Sequence, residues 1–209
     1  MSPTMTPGPP PGRRQWVIIG LTVAASVAID LYSKYLSFEK VAGFPVTILR
    51  EQVRETWAAG RPLSDLIPAH APVVVVPNLL SFVLVLNPGA VFGIGSGKRW
   101  FFIVFTALAL CFALYMFAKW TTKRDWLAHL GLGLLIGGGL GNLYDRFFYA
   151  CVRDFIAPLP GLKFPFGLSP FGSNGALWPY ISNVADALLI VGIGLLAVFL
   201  WRADVKVDR

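Results

Sequence analysis

The sequence predicts an all-α membrane protein, a four-transmembrane-helix bundle with a small extracytoplasmic sheet and an extended outer loop. Two observations predict this fold. The 209 residues are 56% hydrophobic and only 14% charged, whereas soluble domains carry about 25% charged residues. The chain also contains four apolar runs close to the roughly 20 residues that a helix needs to cross a bilayer. Lipid is therefore expected to be part of the solvent of this protein.

The four apolar runs predict the transmembrane helices, at about 16–36, 100–120, 126–145 and 183–202. The second and third runs carry almost no charge, and the first and fourth qualify if their polar ends reach the interface. At this length only helices satisfy their own backbone hydrogen bonds in lipid, so we predict one membrane-embedded domain over 15–204. A cleaved signal peptide is the weaker alternative for the first run, because that run continues into IDLYSKYL.

Basic residues predict the orientation of the chain. They cluster before the first helix, between the second and third, and after the fourth: Arg13, Arg14, Lys119, Lys123, Arg124, Arg202, Lys206 and Arg209. Four alternating spans place these clusters on one side, which the positive-inside rule identifies as the cytoplasm. Residues 1–14 then form a disordered cytoplasmic N-terminus and 205–209 a cytoplasmic tail. The net charge of +7 fits such anchors, and no motif suggests nucleic-acid binding.

Seven polar or charged residues lie at or near the opposite, extracytoplasmic ends of the predicted helices. They are Asp30, Lys34, Asn87, Asn142, Asp145, Asn183 and Asp186. If these residues were only interfacial anchors, they would be expected at both ends of the helices. We therefore expect them to converge on one layer near the outer membrane surface. In the third helix, Gly133, Gly137 and Gly141 recur every four residues, which is typical of a close helix-packing face.

Two loops lie on the extracytoplasmic side. The first, 37–99, contains three β-like runs, FPVTIL, APVVVVP and LLSFVLVL, around a short helical insertion, REQVRETWAAG. The second, 146–182, is rich in Pro, Gly and aromatic residues. Four of its aromatic side chains suit the lipid-headgroup layer: Phe164, Phe166, Phe171 and Trp178.

Carboxylates near the membrane are the main chemical signal. Asp154 and Asp186 have few cations nearby in the sequence, and intramembrane carboxylates indicate function by default. Two such groups in a partly dry site could share a proton and activate a water. Spacing alone leaves this pair as plausible as a proton or ion pathway. For Asp30 and Lys34 we favour a helix-surface ion pair, and for Asp145, with Arg146 next to it, structural support.

Other functional classes receive less support. Cys111, Cys151, His70 and His129 are isolated in the sequence and show no metal-ligand spacing, so we expect no metal and no cofactor. A small proton-coupled carrier that uses Asp30, Asp145 and Asp186 is the main alternative to an enzyme.

Five short motifs in order resemble the lipoprotein signal peptidase family, also called signal peptidase II. They are DLYSK at 30–34, NPGAVFG at 87–93, GGGLGNLYDR at 137–146, VRDF at 152–155 and NVAD at 183–186. The resemblance implies a catalytic pair of Asp154 and Asp186. It implies that further residues shape the site and hold substrate: Asn87, Gly89, Asn142, Asp145, Arg146 and Asn183. It gives Asp30 and Lys34 a supporting role.

The same resemblance implies an activity and a location. The family cleaves the signal peptide from diacylglyceryl-modified prolipoproteins in the bacterial inner membrane, and the cyclic peptide globomycin inhibits it. The first outer loop resembles the β-cradle of the family. The chain departs from the family pattern at Ser182, at Pro88 and in the long stretches 50–70 and 157–180, which puts substrate preference and gating in doubt. A non-catalytic relative that binds lipidated peptides is a further alternative, and a monomer is our working assignment.

Overall fold

A computed structural model describes residues 9–89, 99–168 and 175–207 of the chain. The predicted headgroup aromatic Phe171 and the terminal basic residue Arg209 lie outside these ranges. The helices are α1 (Arg13–Lys40), α2 (Arg50–Ala58), α3 (Arg99–Trp120), α4 (Trp126–Phe148) and α5 (Val184–Val207). Within the described residues, α1, α3, α4 and α5 are long and apolar enough to cross a membrane. The four predicted spans are therefore confirmed.

The first and last membrane-spanning helices, α1 and α5, extend beyond their predicted ends. Helix α1 already begins at Arg13, inside the stretch that we expected to be disordered. The side chain of Gln15 reaches back to the backbone N–H of Gly12 (3.1 Å), which satisfies a donor that the first helical turn leaves unpaired. Helix α5 continues to Val207, into the predicted tail.

Two compact units make up the chain, where the sequence suggested one domain. The helix unit comprises the described parts of Met1–Ile29, Val104–Gly141 and Ala185–Arg209. The sheet unit comprises the described parts of Asp30–Ile103 and Asn142–Val184.

In the helix unit, glycines of α4 allow neighbouring helices to approach closely. A Cβ atom added at Gly133 would lie 2.8 Å from Thr22, and one added at Gly137 would overlap the side chain of Ser26, both on α1. Gly138 faces α5, where an added Cβ would lie 2.7 Å from the carbonyl oxygen of Ala185. Of the 18-residue apolar stretch of α4, 67% is buried, against 11–17% of the corresponding stretches of the other three spans. Helix α4 is therefore the central helix of this unit. The predicted glycine face is thus a helix contact at Gly133 and Gly137.

The sheet unit contains three antiparallel strands, β1 (Val73–Val76), β2 (Leu80–Asn87) and β3 (Val152–Pro158), in the order β1-β2-β3. Opposite Asp154 in the register lies Val85 of β2. We expected Asp154 in the second outer loop, 146–182, and the strand found at this position corrects that assignment. Strand β3 pairs antiparallel with β2, with a register shift between Phe82 and Val85, and its first four residues, Val152–Phe155, are buried.

The FPVTIL run does not form a strand, and this prediction was wrong. Pro45 lacks a backbone donor, and the N–H of Val46 donates to the carbonyl oxygen of Phe38 at the end of α1 (2.8 Å). The run instead connects α1 to α2 and buries Ile48 in the core of the sheet unit, with Phe38, Leu84 and Phe155 among others. The helical insertion at 50–60 is confirmed as α2.

His70 joins the segment before β1 to β2. Its Nε2 accepts the backbone N–H of Leu84 (3.0 Å), and its Nδ1 lies 2.8 Å from the carbonyl oxygen of Pro68. Because a backbone N–H can only donate, Nε2 carries no proton and Nδ1 must donate to Pro68. This histidine therefore has a structural role in holding the sheet unit together.

Replacing Gly137 with alanine should destabilise the helix unit. The new Cβ would overlap the Ser26 side chain, and overpacking typically costs about 1–3 kcal/mol. Thermal unfolding in detergent micelles, followed by circular dichroism, would show a lower midpoint.

Gly194→Ala on α5 is the matched control, because nothing lies within 4 Å of a Cβ added there. Its midpoint should be equal to or above that of the wild type, since alanine favours helix over glycine. Equal midpoints for Gly137→Ala and Gly194→Ala would contradict the close approach of α1 and α4.

Candidate active site

A buried ammonium group lies at the centre of the polar residues in the sheet unit. Helix α1 places Lys34 one turn after Asp30, and its Nζ lies 2.8 Å from Asp30 Oδ2 and 3.3 Å from Asp145 Oδ2. All three side chains are 0% exposed. Our prediction of a helix-surface ion pair for Asp30 and Lys34 was therefore wrong in its location, because α4 residues cover the pair.

Asp145 also pairs with Arg153 of β3. The carboxylate accepts from the guanidinium Nη2 of Arg153 (2.8 Å) and from the Arg153 backbone N–H (3.0 Å). The sequence suggested Arg146 as the neighbouring cation, but consecutive helix residues point in different directions. Arg153 was missed because only the β3 pairing brings it back to the end of α4. The Arg in the VRDF motif was the available signal.

The four charges of this cluster compensate one another. Asp30 and Asp145 carry two negative charges, and Lys34 and Arg153 carry two positive ones. Buried ions are tolerated only when they are paired and hydrogen-bonded, and the cluster meets both conditions. Burial also raises the pKa of the neighbouring Cys151 thiol, and the Asp145 charge adds to this shift.

The ammonium of Lys34 also determines the orientation of an amide. Its Nζ donates to Asn142 Oδ1 (3.0 Å), and because an ammonium group has no acceptor, the oxygen of this amide must face it. The same oxygen accepts from Asn183 Nδ2 (3.1 Å). Asn183 therefore presents its NH₂ group to this part of the site.

Asp154 receives amide donors on both carboxylate oxygens. Asn183 Nδ2 donates to Oδ1 (2.6 Å) and Asn87 Nδ2 donates to Oδ2 (3.0 Å). The side chain is 1% exposed. These donors fit a carboxylate that acts as an acceptor on each oxygen, and they fix its plane relative to β2 and β3.

A tight turn after β2 orients Asn87. The backbone N–H of Gly89 donates to Asn87 Oδ1 (3.0 Å), a turn of the type that Asn side chains commonly form. Because the amide oxygen is thereby engaged, the NH₂ group faces Asp154. Pro88 has no N–H to lose in this turn, so the departure from the family pattern at this position is compatible with the geometry.

Arg146 links the end of α4 to the same turn. Its guanidinium donates to the carbonyl oxygens of Asn142 (3.3 Å) and Gly89 (3.3 Å), and it lies over the ring of Phe102 (5.4 Å to the centroid). The contacts of Arg146 with two backbone carbonyls make it a brace of the site.

Asp186 belongs to the helix unit. It lies in the first turn of α5, three residues after Asn183, and is half-buried. A carboxylate in this position also stabilises the positive end of the helix dipole. The other nine candidate residues belong to the sheet unit, where the hydrogen bonds and ion pairs given above join them: Asp30, Lys34, Asn87, Gly89, Asn142, Asp145, Arg146, Asp154 and Asn183.

The comparison with known families decides the class of this protein. The sequence model of signal peptidase (SPase) II matches residues 22–202. The chain belongs to the signal peptidase II family. This membership confirms the resemblance seen in the sequence and identifies the chain as a membrane-embedded protease of the aspartic peptidase type.

Individual relatives agree with this family. A lipoprotein signal peptidase of Desulfitobacterium hafniense (strain DSM 10664 / DCB-2) is 34% identical over 154 residues, which cover 72% of this chain and 90% of that protein. One of Clostridium novyi (strain NT) is 34% identical over 155 residues, 74% of this chain and 92% of that protein. A solved bacterial membrane enzyme matches with a TM-score of 0.60 and 26% identity, over 88% of this chain and 87% of that structure.

Asp145→Asn should strongly destabilise this signal peptidase II chain. It would leave Lys34 and Arg153 with one buried counter-charge between them, and breaking a buried ion pair typically costs about 3–5 kcal/mol. The unfolding midpoint in detergent, followed by circular dichroism, should fall by many degrees.

An exposed ion pair provides the matched control. Arg54 and Glu51 on α2 are 3.3 Å apart with side chains 56% and 68% exposed, and exposed pairs contribute only about 0–1 kcal/mol. Glu51→Gln should leave the midpoint almost unchanged. Similar losses in the two variants would show that the Asp145 cluster is hydrated and not a compensated buried network.

Proposed function

We propose that this protein cleaves the signal peptide from diacylglyceryl-modified bacterial prolipoproteins, just before the lipidated cysteine. A water activated between Asp154 and Asp186 performs the attack. Family membership and the lipoprotein signal peptidases among its relatives support the reaction class. The observation that carries the residue assignment is the buried carboxylate of Asp154, oriented by two amides.

Asp154 has the properties of a positioned catalytic group. Its amide donors are themselves oriented, Asn87 by the Gly89 N–H and Asn183 through Asn142 and Lys34. A carboxylate held in this way needs little reorganisation when charge moves during the reaction. Arg153, its neighbour in the chain, is engaged by Asp145.

Asp186 is the proposed second member of the pair. It follows Asn183, the donor to Asp154, by three residues: Asn183 immediately precedes α5, and Asp186 lies in the first turn of that helix. Two carboxyl groups that share a proton can act as base and acid in one step. Because such a pair titrates jointly, we assign neither residue to one role.

The proposed chemistry uses only water and the two carboxyl groups. The carboxylate takes a proton from water as the water oxygen bonds to the scissile carbonyl carbon, while the protonated partner donates to the carbonyl oxygen. Collapse of the tetrahedral intermediate breaks the C–N bond, and the amine of the lipidated cysteine leaves with a proton from the pair. No covalent enzyme intermediate and no metal are involved.

The remaining candidate residues act as positioning groups in this proposal. Asn87, Asn142 and Asn183 orient Asp154, and Arg146 braces the turn at Gly89. We also propose that these groups contact the substrate. The carrier alternative is less favoured, because Asp30 and Asp145 are committed to Lys34 and Arg153.

The substrate would reach the site from within the membrane. Its acyl chains supply membrane affinity of about 0.8 kcal/mol per buried CH₂ group, so the protein needs only to position the peptide bond. We place the site near the outer leaflet of the bacterial inner membrane, with both termini in the cytoplasm, since the basic clusters lie at the opposite ends of the helices. In this proposal the protein acts as a monomer.

Asp154→Asn and Asp186→Asn should each lower kcat for a diacylglyceryl-modified prolipoprotein by about 10³-fold or more, because each removes one member of a proton-sharing pair. The assay follows the loss of the signal peptide by gel shift in detergent–lipid micelles. Unfolding midpoints close to that of the wild type would show that the fold is retained.

Asp65→Asn provides the control, because Asp65 is an exposed carboxylate in the 3₁₀ helix Leu63–Leu66, and its activity should equal that of the wild type. Full activity in either of the other two variants would overturn the catalytic pair. Lipopeptide binding by a wild-type chain that never hydrolyses the substrate would instead identify a non-catalytic relative.

Globomycin should inhibit the wild-type cleavage and raise its unfolding midpoint, because a ligand that binds only the folded state stabilises it by mass action. The midpoint shift can be measured in Asp154→Asn as well, where it reports binding without turnover. Unchanged cleavage and midpoint at saturating inhibitor would separate this chain from the inhibitor-sensitive members of its family.

A further inference from the structure

A second hairpin in the sheet unit follows β3. The N–H of Leu177 donates to the carbonyl oxygen of Leu162 (2.8 Å), and the N–H of Phe164 donates to that of Gly175 (2.8 Å). Lys163 and Ala176 form a bridge between these bonds. We call residues 162–168 and 175–178 the outer hairpin. In the chain it lies between α4 and α5, so membrane-crossing helices precede and follow it.

The outer hairpin exposes large apolar side chains. Phe166 is 96% exposed and Leu168 57%, with Leu162 and Trp178 at 39% and 40%. Soluble proteins rarely leave such a cluster in water, and clusters of this kind mark interaction sites. Phe166 also has a φ of +59°, which is unfavourable for a bulky residue. The strained backbone is thus combined with an aromatic ring that contacts almost nothing in the protein.

The charge distribution favours lipid as the covering partner. Residues 155–185 contain no acidic residue and one basic residue, Lys163. A protein partner would usually be selected by complementary charges, and this segment carries only one charged residue. A single lysine beside exposed aromatic and aliphatic residues instead suits the headgroup layer, where its ammonium group can reach phosphate.

A neighbouring turn also exposes apolar side chains. The N–H of Leu159 donates to the carbonyl oxygen of Leu79 (2.9 Å), which joins the base of the outer hairpin to the β1–β2 turn. Leu79 is 55% exposed, and all four valines of β1 are exposed as well. Residues 71–97 carry no charged residue. The exposed apolar residues of the two hairpins therefore belong to connected elements.

We propose that the outer hairpin is a membrane anchor that inserts Phe166 and Leu168 into the outer leaflet of the membrane crossed by its own helices. The insertion is shallow, at the boundary between headgroups and acyl chains. Irregular backbone is not stable in the hydrocarbon core, which limits the depth of insertion. This role adds to the proposed peptidase function and does not depend on it.

Spin labelling of the full-length chain in lipid vesicles tests the anchor. The background is Cys111→Ala, which removes the exposed thiol, while Cys151 is 1% exposed and its raised pKa keeps it unreactive. Nitroxides are attached to Phe166→Cys and, separately, to Leu168→Cys. The vesicles contain phosphatidylcholine and phosphatidylglycerol. Power saturation compares collisions with oxygen, which concentrates in the bilayer, and with a water-soluble nickel chelate.

A label at Ser64→Cys is the matched control, because Ser64 is exposed in the 3₁₀ helix Leu63–Leu66 of the same unit. The oxygen-to-nickel accessibility ratio at 166 and 168 should exceed that at 64 severalfold. Ratios equal to that at 64 would show that the hairpin lies in water. Low accessibility to both reagents would show that it is packed against protein, and either result overturns the proposal.

A substitution at Phe166 tests whether its ring holds the outer hairpin in the membrane or only lies near it. Asn tolerates a positive φ, so Phe166→Asn retains the turn and removes the ring. In this variant the label at 168 should move toward the water phase and its accessibility ratio should fall. An unchanged ratio at 168 would show that Phe166 does not hold the hairpin in the leaflet.

Discussion

The ammonium group of Lys34 is the interaction on which the polar part of the sheet unit depends. It is fully buried, it can only donate, and its three partners among the described residues are Asp30, Asp145 and Asn142. Two of them neutralise it, and the third is an amide whose direction it determines. The amide oxygen of Asn142 in turn orients the amide of Asn183, which donates to Asp154. A single cation thereby contributes both to the stability of this unit and to the orientation of the proposed catalytic carboxylate.

The second support of Asp154 is independent of that cation. The Asn87–Gly89 turn depends on a backbone donor, and Arg146 reinforces it from α4 through the carbonyl oxygen of Gly89. The two carboxylate oxygens of Asp154 are therefore fixed from two directions, one through side chains and one through backbone. Such double support is the condition under which an active-site group stays within the tolerance that catalysis requires.

The sequence was informative where one physical constraint acts alone. Lipid demands about 20 apolar residues for each helix, so the four spans could be read from composition, and the polar residues at their outer ends marked the site. Tertiary pairing decided the rest. Asp154 lies in a strand because β2 offers a partner, FPVTIL has no partner strand, and Asp145 meets Arg153 only because β3 follows α4. None of these pairings leaves a periodic pattern in a single sequence.

The uncharged character of the outer segments has a consequence for the environments in which this protein can work. Attraction between a basic surface and anionic headgroups weakens as salt is added, but contacts made by valine, leucine and phenylalanine do not. With no charge in residues 71–97 and only Lys163 in 155–185, lipid contacts made by these two segments should tolerate wide changes in the ionic strength of the surrounding medium. In the orientation proposed above, these contacts would stay unchanged when the salinity outside the cell changes.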